Sequence, residues 1–174
     1  MIIGNPDMFP ELQIEDALER MKSLGFDGVE ISSPMIDACT TTGLKRQFSA
    51  YVTSLGLKLV RLNTAGAEYF SPLSHPGEIG RILDGLKRDL DIAEIFGVRQ
   101  LTTWEGRAHT GSSSADVNGW VLDATTRLFE QAVDYARPRD IQISVEPDPK
   151  TLGMDAQWLK KLCDRLDQRM FNVT

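Results

Sequence analysis

Three stretches of the chain share one pattern, and that pattern limits the folds open to it. They are residues 24–32, beginning Leu24-Gly25-Phe26, residues 55–63, beginning Leu55-Gly56-Leu57, and residues 96–104, beginning Phe96-Gly97-Val98. In each, an amphipathic helical run stops and a glycine stands where a left-handed helix C-cap forms. A short β-rich run then begins. The glycines are 31 and 41 residues apart, the room that a helix, a strand and two connections need.

Apolar residues at 3- and 4-residue spacing predict the helices. One stripe is Ile14, Ala17, Leu18, Met21 and Leu24, and a weaker one runs through Phe48, Tyr51, Val52 and Leu55. Two long ones comprise Ile82, Leu83, Leu86, Leu90 and Ala93, then Val121, Thr125, Leu128, Phe129, Ala132 and Ala136. The last is Leu159, Leu162, Cys163 and Leu166. Strands are expected near Ile2–Asn5, Gly28–Ser32, Lys58–Asn63, Gln100–Trp104, Ile141–Glu146 and Phe171–Thr174.

Alternating strands and helices make an α/β chain with parallel strands joined by right-handed crossovers. An open doubly wound sheet and a (β/α)8 TIM-type barrel both satisfy this. The strand faces favour the barrel. Val29 and Ile31 alternate with Glu30 and Ser32, Val60 and Leu62 with Arg61 and Asn63. Ile141, Ile143 and Val145 alternate with Gln142, Ser144 and Glu146. Central strands of an open sheet meet helices on both faces and read apolar on both. One polar face suits strands that line a barrel mouth. About six strands and five helices occupy 174 residues, whereas a full barrel takes ~250. The expectation is an incomplete barrel, with residues 1–174 the N-terminal portion of a single barrel domain.

Composition narrows the function classes. A net charge of −6, with 19 basic and 25 acidic residues, lacks the electrostatic footprint of a nucleic-acid binder. No segment is apolar enough to span a bilayer, and MIIGNPDMFPE does not read as a secretion signal, so a cytoplasmic protein is expected. Cys39 and Cys163 are far apart in sequence and outside any CxxC pair. Both are expected to be reduced and structural. Neither GxGxxG nor GxxxxGK[ST] occurs. Gly111-Ser112-Ser113-Ser114 reads as a loop leading to a helix N-cap near Ser114 or Asp116, with an anion at that terminus as the alternative.

The end of the fourth strand reads Thr102-Thr103-Trp104-Glu105-Gly106-Arg107-Ala108-His109, and the fifth Ser144-Val145-Glu146-Pro147-Asp148-Pro149. With Leu24-Gly25-Phe26-Asp27-Gly28-Val29-Glu30-Ile31, these segments resemble the xylose isomerase-like barrel superfamily of sugar isomerases and epimerases. Its members carry a Trp-bearing turn after strand four and a Glu-Pro-Lys-Pro type turn after strand five. The resemblance spans the whole chain. It implies a small-molecule sugar or sugar phosphate as substrate. It also implies a divalent metal, Mn²⁺ or Mg²⁺, at the C-terminal mouth of the barrel, with Glu146 as metal ligand and catalytic acid/base.

Trp104 and Arg107 resemble the family's substrate-wall residues, an aromatic plane and a guanidinium for hydroxyls or phosphate. Glu30 and Asn63, at what read as comparable strand ends, are further substrate-binding candidates. Glu105 replaces a family glycine and is expected in the mouth or in water. His75 and His109 read as loop histidines. Asp148 stands where the family has lysine, which argues against hydride-shift chemistry. The family's later ligands would follow Thr174, so this chain by itself is expected to be inactive. Two other readings stay open. One is a non-catalytic partial barrel that assembles with another chain or a second copy through open edges, using Ile3, Phe171 and Val173. The other is an endonuclease IV-like nuclease, which two histidines and an acidic charge disfavour.

Overall fold

The recurring glycines end the helices as their spacing implies. Gly25, Gly56 and Gly97 have φ of 87°, 74° and 69°. The next residue donates back five positions each time: Phe26 N to Met21 O, Leu57 N to Val52 O and Val98 N to Ala93 O. This double-turn cap satisfies carbonyls that the helix end would leave free. A fourth copy carries no glycine. Asp140 takes φ 53° after the fourth helix, and Ile141 N donates to Ala136 O at 3.4 Å.

The computed structural model describes residues 1–36, 38–64, 76–106, 117–148 and 151–174. Within them the strands are β1 Ile3–Gly4, β2 Gly28–Ser32, β3 Lys58–Asn63, β4 Gln100–Thr103, β5 Gln142–Val145 and β6 Phe171–Val173. The helices are α1 Ile14–Ser23, α2 Thr42–Ser54, α3 Pro76–Phe96, α4 Val117–Ala136 and α5 Ala156–Arg165. Every expected strand is present, and six of the twelve ends are shorter by one residue. All pairs are parallel, and the strands lie in the order β1-β2-β3-β4-β5-β6. A doubly wound sheet reverses its order at a switch point. An unbroken sequential order joined by helices is the winding of a TIM-type barrel.

The outward faces make the core. Val29, Ile31, Leu62, Leu101, Ile143, Val145 and Phe171 are between 0 and 1% exposed, beneath the buried stripes of the helices. The α4 stripe from Val121 to Ala136 is buried throughout, and the Phe129 ring meets that of Phe171 at 4.9 Å. Two stripe and edge expectations need correction. Leu24 is the C-cap of α1, where the chain turns away, and is 51% exposed. Phe171 packs under α4 and is no part of an open edge, although Ile3 and Val173 are exposed at 37% and 42%. At β1, a Cβ on Gly4 would lie 2.5 Å from Phe26 Cε1, so glycine there lets the phenyl ring cover the strand.

Cys39 and Cys163 are free and half-buried, and burial raises the Cys163 thiol above its ordinary pKa. Among the described residues, no helix is long and apolar enough to cross a membrane.

Candidate functional site

The pairing register sets five small polar residues side by side. Ser32 pairs with Asn63, Asn63 with Thr102, Thr102 with Ser144, and Ser144 with Asn172. These positions alternate with the apolar outward residues, so the row faces the inside of the sheet's curve. TIM-barrel interiors are dominated by bulky branched side chains. Here the layer is built of hydroxyls and amides.

Part of the row is already bonded. The Gln100 side-chain amide donates to Ser144 Oγ at 2.8 Å, and the Ser144 hydroxyl donates to Asn172 Oδ1 in a short bond. Asn63 Oδ1 and Thr102 Oγ1 are buried and have no hydrogen-bond partner, although their residues are direct register neighbours. An unsatisfied buried oxygen costs about 1–3 kcal/mol unless water or a ligand reaches it.

Glu30 lies one inward layer deeper than Asn63. A register shift between Val29 and Glu30 pairs Glu30 with Arg61, and Ser32, not Glu30, is the partner of Asn63. The expectation that Glu30 and Asn63 occupy comparable strand ends is therefore corrected. The Glu30 carboxylate meets Arg61 Nε at 3.4 Å, each side chain about a quarter exposed.

Glu146 follows β5, two residues beyond Ser144 on the same alternation, and is exposed. The ladder continues past the formal strand ends and fixes its backbone: Glu146 N donates to Thr103 O at 2.9 Å, and Thr174 N to Val145 O at 3.0 Å. The following turn is braced too. Asp148 N donates to Thr151 Oγ1 at 3.0 Å, and Leu152 N to Gly106 O at 3.0 Å.

Trp104 is half-buried and contributes to a different space, a cavity of about 410 Å³ between β4 and helices α3 and α4. Thr64, Thr103, Leu128 and Phe129 line it with Trp104, and the Thr64 hydroxyl donates to Thr103 Oγ1 at 2.9 Å. Glu105 is fully buried and does not stand in water. Arg107, His75, His109, the Gly111–Ser114 loop and Asp116 lie outside the described residues.

The structure thus joins Asn63 to residues that the sequence reading did not single out as site residues, Thr102 and Asn172. Their signal was faint. Thr103 is as polar as Thr102 but faces the helices, so β4 shows no clean alternation, and β6 is only three residues long. Among the described residues, no three His, Cys, Asp or Glu side chains converge to hold a metal ion.

No curated protein matches the sequence. Solved structures match over nearly its full length at low identity, which shows the fold. An AP endonuclease, family 2, from Brucella melitensis is 17% identical with TM-score 0.73, over 99% of this chain and 67% of that one. The D-psicose 3-epimerase from Clostridium cellulolyticum H10, solved with D-tagatose, is 13% identical with TM-score 0.76, over 99% and 62%. A probable 3-DHS dehydratase from Bacillus anthracis is 12% identical with TM-score 0.76, over 100% and 62%. The chain spans about two thirds of the length of these structures. The family model described as xylose isomerase-like TIM barrel matches residues 18–174, and with six parallel strands in barrel order the chain belongs to that family.

Proposed function

We propose that this chain forms part of the sugar-binding mouth of an isomerase or epimerase, acting on a sugar or sugar phosphate, with Glu146 as its acid/base carboxylate. One observation carries the reading. Glu146 stands exposed on a hydrogen-bonded backbone at the C-terminal end of β5, directly above the polar row of the inner face. Active sites of TIM barrels lie at that end. A carboxylate there takes the proton from the carbon beside a sugar carbonyl. Returning it to the neighbouring carbon, with a proton passing between the two sugar oxygens, isomerises the sugar, whereas epimerisation needs a second acid on the opposite face to reprotonate the same carbon. Asn63, Thr102 and Asn172 hold hydroxyl groups during that transfer. The solved epimerase with D-tagatose supports the substrate class by fold similarity.

A divalent cation, Mn²⁺ or Mg²⁺, would polarise the sugar oxygens when bound. The described residues do not fit a complete site for it. They offer Glu146 as one ligand, and a single carboxylate does not replace the cation's water shell. Full turnover therefore needs ligands beyond the described ones, whereas sugar binding by the floor does not. The test is calorimetric titration of the 174-residue protein with D-fructose and D-tagatose. Binding that weakens about tenfold in Glu146→Gln supports the reading. Absence of binding, or binding indifferent to Glu146→Gln, contradicts it.

A second reading has its own observation. Among the described residues, β1 and β6 each pair on one side only, and Ile3 and Val173 are exposed beside them together with Met1 and Ile2. Such edges suit a partial barrel that associates with another copy or chain. Light scattering showing a concentration-dependent dimer, reversed by Val173→Lys, supports it, and a monomer at all concentrations opposes it.

A further inference from the structure

We infer that the floor of this mouth selects a neutral, unphosphorylated polyhydroxy substrate over its phosphate ester. The inference rests on the sugar-binding reading above and narrows its substrate class. The row Ser32, Asn63, Thr102, Ser144 and Asn172 is uncharged and built to exchange hydrogen bonds with hydroxyl groups. Two of its oxygens await a partner. Thr102 is 3% exposed with a buried, unbonded hydroxyl, and its register neighbour Asn63 keeps a buried, unbonded Oδ1. A sugar hydroxyl that donates to Asn63 Oδ1 and accepts from Thr102 Oγ1 satisfies both at once.

Charge argues against a phosphate on this face. Phosphate sites gather guanidinium, ammonium or free backbone N–H donors. On the described inner face, Arg61 is held by Glu30 at 3.4 Å in the layer below the row, and Lys58 stands deeper still, opposite Gly28. Glu146 adds a negative charge at the rim. Arg81 and Arg88 line the cavity of the helical layer, with Asp84 and Asp89 beside them. A dianionic ester set on this row would meet the Glu146 charge at the rim, and no residue of the row itself carries a positive charge.

The experiment compares D-fructose with D-fructose 6-phosphate by calorimetry on the 174-residue protein and on Thr102→Val, with thermal melting of both proteins. D-fructose is expected to bind about fivefold or more tightly than the ester, as one uncompensated like charge near the surface dictates. Thr102→Val should weaken D-fructose binding about three- to tenfold without lowering the melting temperature, since the lost hydroxyl has no partner within the protein. Tighter binding of the ester overturns the inference and leaves the sugar reading standing. Unchanged D-fructose affinity in Thr102→Val overturns the role of the floor. Failure of both ligands to bind overturns the inference and the sugar reading together.

Discussion

The Glu30 carboxylate and the Arg61 guanidinium face each other at 3.4 Å inside the sheet's curve, because a register shift before Glu30 brings the two into direct pairing. Each side chain is about a quarter exposed, between a solvated surface pair and a buried one. Removing one partner leaves a half-buried charge uncompensated. Arg61→Met should cost about 1–2 kcal/mol, and Glu30→Gln in the same background should restore part of that loss. A double-mutant cycle by urea denaturation measures it, and strict additivity would show that the pair is uncoupled.

The contact between α4 and β6 rests on two rings. Phe129 and Phe171 are each 1% exposed with centroids 4.9 Å apart. Phe129→Ala removes most of that contact and opens a cavity under the last strand. A loss of about 3–5 kcal/mol is expected in chemical denaturation. A loss below about 1 kcal/mol would mean that β6 does not depend on α4.

At Asp140 the sign reverses. Its φ of 53° places a side-chain-bearing residue in left-handed geometry, and its ion pair with Arg99 at 2.9 Å is solvent-exposed on both sides. Asp140→Gly removes the steric cost and an ion pair of small value. A stabilisation of about 0.5 kcal/mol is expected in thermal denaturation. Destabilisation would show that the Arg99 pair outweighs the backbone.

Acid should loosen the approach to β6. Arg137 donates to Asp167 at 2.8 Å and Arg169 N at 3.0 Å, and these bonds hold the Asp167 carboxyl below its usual pKa. A depressed carboxylate stabilises the fold above its unfolded pKa and ceases to do so as pH falls through the folded value. Asp167→Asn should therefore be the less stable protein at pH 6. The gap should close as pH drops below the ordinary aspartate range. A gap that stays constant to pH 2 contradicts the assignment.

The fold was legible wherever local rules acted alone. Glycines 25, 56 and 97 announced three helix ends because left-handed caps favour glycine, and clean apolar alternation placed β2 and β5. The fourth helix end was silent because Asp140 fills the glycine's place. The site was less legible because it depends on register between strands. Whether Val60 or Arg61 stands beside Glu30, and so which residue meets Asn63, is set by a one-residue shift that no single strand reveals. That Glu105, past the end of β4, is buried while Glu146, past the end of β5, is exposed is likewise a tertiary outcome that neither strand's own pattern reveals.

The central claim is that the inner polar row and Glu146, and not the cavity of the helical layer, bind sugar. Amide chemical shifts of the ¹⁵N-labelled protein, followed while D-fructose is added, test it most directly. The account predicts saturable shifts at Asn63, Thr102, Ser144, Glu146 and Asn172, with Arg81, Asp84 and Leu128 unmoved. Shifts confined to those last three residues around the α3–α4 cavity, or no shifts at all, would contradict it.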